Sequence, residues 1–203
     1  MELKEVLFVL LDEYADWEAA SLASALNEPP DQGEHKYRVK TVSLTHEPVR
    51  SIGGFRTVPD YTVDEVGDDF AGIVLIGGNS WRKPGSEAVM RLVQKALDGS
   101  KVIAAICDAT VFLGINGVLN SGKHTSNRLD DLQETAGGNY TGAADYLEQQ
   151  AVREGKLITA NGSAFLEFGR EVMTVLESAP QQEIDEWYEF FKNGYYEFIG
   201  KQK

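Results

Sequence analysis

The chain has a single cysteine, Cys107, set at the last step of an apolar run in KVIAAICDAT (101–110) and followed at once by Asp108. A thiol at that point has a definite chemistry open to it. If Lys101–Ile106 is a buried strand and Thr110–Ile115 the helix after it, Cys107 lies on the tight turn between them, beyond the carboxyl end of the sheet. Main-chain N–H groups at the helix start favour a nearby anion and would draw the thiol pKa down. A sharp turn also projects the side chain away from the core, as a nucleophile elbow does. Taken alone, a cysteine after an apolar run is more often a small buried hydrophobe. A carboxylate at Asp108 opposes ionisation of the sulfur.

The elements needed to position such a group can be read along the chain. Val6–Leu11 (VLFVLL) and Gly72–Ile76 (GIVLI) have the unbroken apolar character of strands covered on both faces. Tyr37–Leu44 alternates like a strand, and Val49–Val58, interrupted by Gly53-Gly54, reads as a hairpin. A helix follows DEYAD with Trp17, Ala20, Leu22, Ala23 and Leu26 on its stripe and Asp16 as the expected N-cap. Ser86–Leu97, Ala164–Glu177 and Pro180–Lys192 are further helices; Ala151–Ala160 is a hairpin turning at Glu154-Gly155, and Lys123–Asn127 a short strand. Buried strands alternating with helices imply an α/β three-layer sandwich with a largely parallel sheet and helices on both faces. No repeat or linker divides residues 1–203, so one domain is expected.

Composition narrows the function. Nineteen Lys+Arg against 32 Asp+Glu leave a net charge of −13, which repels phosphate backbones and anionic membranes, and nucleic acid is not an expected partner. The longest apolar runs are about seven residues, against about 20 for a membrane span. One cysteine forms no internal disulfide, and no charged-then-apolar leader opens the sequence, so a reducing cytoplasm is the expected location. No spacing of His, Cys and Asp proposes zinc, and no phosphate or dinucleotide loop is present, so neither metal nor cofactor is expected.

Four segments, in order, carry a family resemblance: VLFVLLDEYADWEAA, GIVLIGGNS, KVIAAICDAT with FLGINGVLNSGKHTSN, and GKLITANGSAFLEFGREVM. Together they resemble the ThiJ/PfpI superfamily, whose flavodoxin-like fold is shared with class I glutamine amidotransferase domains. The resemblance implies a peptidase- or amidase-like cysteine hydrolase with Cys107 as nucleophile and Glu18 as the acid against the sulfur, the protonated acid favouring thiolate. It implies an oxyanion hole from the main-chain N–H groups of Gly78, in the Gly77-Gly78 loop, and of Asp108. It also implies a homo-oligomer, a dimer or larger, acting on a small molecule or peptide. Outside the resemblance, Glu18 also fits a solvated first-turn residue and Gly77-Gly78 a plain strand-ending turn.

The pattern departs from the family in one respect. Members described as peptidases carry histidine directly after the cysteine, where Asp108 stands here. Other members take it from the segment aligned with Lys123–Asn127, where Asn127 occupies its place. His124 is three residues away, and on a regular strand the two would point to opposite faces. His124 could act as base if the loop turned it inward, whereas Asn127 could only hold a substrate or a water. The same thiolate would also suit a cofactor-free glyoxalase or deglycase of reactive carbonyls, or a non-enzymatic redox sensor.

Overall fold

Alternate residues of the first strand enter different cores. Leu7, Val9 and Leu11 pack with Ile73, Leu75, Ile103 and Ala105 on one side of the sheet; Val6, Phe8 and Leu10 pack with Val74, Ile76, Ala104 and Ile106 on the other. Two buried faces explain why these strands read as continuous apolar runs rather than alternating ones. The computed structural model describes residues 2–201.

The elements, in chain order, are β1 (Lys4–Val9), α1 (Asp16–Asn27), β2 (Tyr37–Ser43), β3 (Val49–Arg50), β4 (Arg56–Thr57), β5 (Tyr61–Thr62) and β6 (Gly72–Leu75). They continue with α2 (Met90–Asp98), β7 (Val102–Ile106), α3 (Asp108–Ile115), α4 (Leu129–Ala136), β8 (Ala151–Glu154) and β9 (Leu157–Ala160). The chain closes through α5 (Phe165–Leu176), α6 (Gln181–Asn193) and α7 (Tyr195–Lys201). Seven strands form one sheet in the order β5-β2-β1-β6-β7-β9-β8, parallel throughout except for the β8–β9 pair. Leu92, Val93, Phe112, Leu113 and Leu132 of α2, α3 and α4 cover one face, and Leu22, Leu26, Phe168, Val172 and Ile184 of α1, α5 and α6 the other. The expected three-layer sandwich is what forms.

The chain leaves β1 toward β2 on one side and returns to β6 on the other, so the strand order reverses between β1 and β6. Such a reversal opens a crevice at the carboxyl ends of the strands. Glu18, Gly77-Gly78 and Cys107 follow β1, β6 and β7, all at that end.

Three local expectations are corrected. Asp16 does not cap α1: Ala15 occupies the cap position with no side-chain bond, and Asp16 Oδ2 instead accepts from Gly53 N at 2.7 Å, tying the β3–β4 turn to the helix. Lys123–Asn127 is not a strand. A single bridge joins His124 to Tyr146, while Thr125 N donates to Thr159 Oγ1 (2.8 Å) and Thr125 Oγ1 to Gln149 O (3.0 Å), so side chains replace the ladder. The helix after Cys107 begins at Asp108 rather than Thr110.

Candidate active site

Cys107 sits in a backbone conformation that L-residues avoid, φ 59° and ψ −129°. Holding a non-glycine residue there costs on the order of 1–3 kcal/mol and requires the surroundings to enforce it. They do so from both sides: Cys107 N donates to Ala160 O at 2.9 Å, and Cys107 O accepts from Thr110 N (3.0 Å) and Thr110 Oγ1 (2.6 Å). The sheet end and the first turn of α3 thus aim the thiol outward.

Glu18, in the first turn of α1, is fully buried. Its Oε2 accepts from Gly77 N at 2.8 Å, while Oε1 is buried without a hydrogen-bond partner. Two glycines hold the acid against the cysteine. A Cβ on Gly77 would stand 2.5 Å from Cys107 Cβ and 2.8 Å from Ile106 O; one on Gly162 would stand 2.9 Å from Sγ and 3.1 Å from Glu18 Oε1. Both positions require glycine, because the acid and thiol occupy the space a side chain would fill. Gly162 was not singled out in the sequence, although Asn161-Gly162 follows β9 much as Gly77-Gly78 follows β6.

This burial sets the electrostatics. Desolvation pushes the Glu18 carboxyl up from 4.5 to about 7, with the Gly77 amide and the Cys107 thiol offsetting part of the rise and the charge of Asp108 adding to it. Desolvation, then the Glu18 charge, push the thiol up from 9.0 to about 11, against the amide of Asn127 and the main-chain N–H of Asp108. The expected lowering by the helix start is therefore present in direction but outweighed. The carboxyl and thiol act as one coupled pair whose first proton leaves near neutrality and whose second is held into strong alkali.

Asn127 completes the sulfur's surroundings. Its Oδ1 accepts from Gly162 N at 2.8 Å, which turns Nδ2 toward Cys107 Sγ at 3.3 Å. The Asp108 N–H points at the same sulfur, and Gly78 N–H has no acceptor among the described residues. A cleft of ≈ 510 Å³ opens here, lined by Trp17, Gly78, Arg82, Cys107, Asp108 and Asn127 among others. Arg82, which no sequence signal marked, spans two helix starts. Its Nε donates to both Asp108 oxygens (2.9 and 3.0 Å), its Nη1 to Asp131 Oδ1 and Thr135 Oγ1 (both 3.0 Å), and its Nη2 to both aspartates.

The structure does not bring His124 to this cleft. It is fully buried with Nδ1 2.9 Å from Gly122 O and Nε2 2.6 Å from Tyr140 Oη. A carbonyl only accepts, so Nδ1 carries the proton and Nε2 accepts from the tyrosine, leaving no nitrogen for catalysis. His46 pairs with Glu65 on the surface, and His35 lies by Leu26 O. The site therefore has no histidine. Among the described residues no group of three or more His, Cys, Asp or Glu side chains is placed to hold a metal, and no helix is long and apolar enough to cross a membrane.

The chain is similar to known proteins along nearly its whole length. The chain is 38% identical over 203 residues to "Uncharacterized protease YdeA" of Bacillus subtilis (strain 168), covering 98% of this chain and 96% of that one. It is 35% identical over 196 residues to "Uncharacterized protease YoaZ" of the same organism, covering 95% and 92%. A crystal structure of a thiJ/pfpI family protein from Bacillus anthracis matches with a TM-score of 0.89 at 30% identity, over 98% of this chain and 95% of that one. The DJ-1 superfamily protein Atu0886 from Agrobacterium tumefaciens matches with a TM-score of 0.83 at 32% identity, over 94% and 99%. The profile of the DJ-1/PfpI family spans residues 4–175, from β1 to the last turn of α5 and so across every residue around the sulfur. This chain belongs to the DJ-1/PfpI family.

Proposed function

We propose that the protein is a cysteine-dependent hydrolase of small amides or peptides, with Cys107 as nucleophile and Glu18 as its proton acceptor and donor. One observation carries the reading: a fully buried carboxyl, titrating near neutrality, keeps an unpartnered oxygen on the side of a thiol that a strained turn aims into a cleft. A base tuned near the operating pH suits proton transfer. In the first half-reaction Sγ bonds to the substrate carbonyl carbon as the thiol proton passes to Glu18 Oε1, and the oxyanion lies at the N–H groups of Gly78 and Asp108. The C–N bond then breaks, and the amine leaves with the proton from Glu18. Water adds to the thioester while giving a proton to Glu18, and that proton returns to sulfur as the acid departs.

Turnover of amide and ester panels by wild type, Cys107→Ala and Glu18→Gln tests this. Activity that vanishes in the first variant and falls at least about a hundredfold in the second is expected; an inert wild type, or an active Cys107→Ala, refutes it. The pair at Glu18 also supports a second reading, a cofactor-free glyoxalase, in which a hemithioacetal on Cys107 is deprotonated at carbon by Glu18. Lactate formed from methylglyoxal, dependent on both residues and faster than amide cleavage, would replace the first reading with this one. A thiol pushed up to about 11 has little thiolate at neutral pH and is poorly suited to peroxide sensing.

A further inference from the structure

The cleft at Cys107 does not close at Asn127. A second cavity of ≈ 670 Å³ shares Asn127 as a wall and has Asn161, the residue before Gly162, as another. Gly162 packs directly against Sγ and anchors Asn127 Oδ1. The partition between the two spaces is therefore only these side chains and the main chain at 161–162. A substrate whose carbonyl rests on the sulfur would reach the second space by passing Asn127.

Carboxamides are the commonest side chains lining the second cavity. Gln133, Gln149, Gln150, Asn161 and Asn127 are five carboxamide residues of its lining. Gln150 and Asn161 bond each other at 2.5 Å, but the exposed side chains of Gln133 and Gln149 have no protein partner among the described residues. The charges at this rim largely cancel, since Arg128 and Asp130 pair at 2.7 Å and Glu148 alone adds a negative charge. A carboxamide offers two donors and one acceptor, the complement of a peptide unit's C=O and N–H. Neutral walls of this kind, in a chain of net charge −13, fit an uncharged polar chain and disfavour an acidic one.

We propose that this cavity is a binding subsite for an extended, uncharged peptide segment attached to the group attacked at Cys107. It rests on the hydrolase reading for its purpose, but its test does not need turnover. Bromoacetyl peptides of one to four Gly/Ala residues, ending in a C-terminal amide, are compared with bromoacetamide as alkylators of Cys107. Sγ bonds to the methylene carbon, bromide leaves, and intact mass gives the rate.

The second-order rate constant is expected to rise about tenfold from bromoacetamide to the four-residue probe, the worth of one or two hydrogen bonds. Gln133→Ala/Gln149→Ala, two exposed changes away from the sulfur, should remove that gain and leave the bromoacetamide rate unchanged. Length-independent rates, or a length effect that survives both changes, overturn the subsite. A length effect in a protein that hydrolyses no amide removes the hydrolase reading and keeps the subsite, so the two claims fail separately.

Discussion

Two buried polar clusters in this fold, one around His124 and one around Glu18, are built on opposite terms. Around His124 both ring nitrogens are bonded, and Tyr140 and Tyr146 meet the ring edge-on with centroids 5.5 and 5.8 Å away. Around Glu18 one oxygen is bonded and the other is not, and both the acid and the neighbouring thiol are displaced from their ordinary pKa values. Glu18 and His124 are both fully buried, so burial alone does not mark chemistry. Unused hydrogen-bonding capacity beside a thiol in a cleft is what sets the Glu18 cluster apart. The histidine cluster joins the 122–124, 140 and 146 segments; the glutamate cluster keeps a buried carboxyl of raised pKa beside the thiol.

Substitutions can break or sharpen that contrast. The largest effect belongs to Glu18→Gln, which should lower kcat by about a hundredfold to ten-thousandfold and yet stabilise the protein above neutrality. The sign follows from linkage. An acid whose folded pKa is raised from 4.5 to about 7 favours folding fully below 4.5 and loses that contribution as pH rises toward 7. The loss is about 3 kcal/mol and should appear in wild-type urea titrations between pH 4.5 and 8 but not in the variant. A flat wild-type profile would contradict it.

Next is Gly162→Ala, which introduces a Cβ 2.9 Å from Sγ and should slow Cys107 alkylation by about a hundredfold through displacement of the thiol and acid. His124→Ala belongs to the other cluster. It leaves the Tyr140 hydroxyl unpaired and should cost about 2–4 kcal/mol in urea unfolding without changing the pH profile of alkylation; a changed profile would put His124 back at the site. The smallest effect is expected of Arg82→Gln. Loss of the guanidinium leaves the Asp108 charge unopposed near Glu18 and should raise the near-neutral step by about half a unit, a shift the alkylation rate reads directly. A fall in that step would show that Asp108 does not act on the pair.

The sandwich was legible because its parallel strands are buried on both faces and separate cleanly from amphipathic helices. The runs at 6–11, 72–76 and 101–106 lie within a residue or two of β1, β6 and β7. α4 escaped notice because RLDDLQETA carries its core residues, Leu129, Leu132 and Ala136, in a field of charge. β5 escaped because it is two residues long and pairs only with the edge of β2. At the site, the placement of Cys107 on a strand-to-helix turn could be read from polarity alone. Glu18 needed the family resemblance, since nothing local says that a first-turn glutamate faces inward. The direction of the thiol's shift could not be read at all, because it depends on how deeply both acids are buried. Gly162 and Arg82 reach the sulfur's neighbourhood only through tertiary contacts.

The pH dependence of Cys107 alkylation by a neutral reagent, in wild type and Glu18→Gln, tests the coupled pair most directly. In wild type the rate should rise through a step near 7, as the pair loses its first proton, with a second rise near 11. In the variant the step near 7 should disappear, and the remaining one should move below 11 because the opposing charge is gone. A step near 7 that persists without the Glu18 carboxyl would contradict the account.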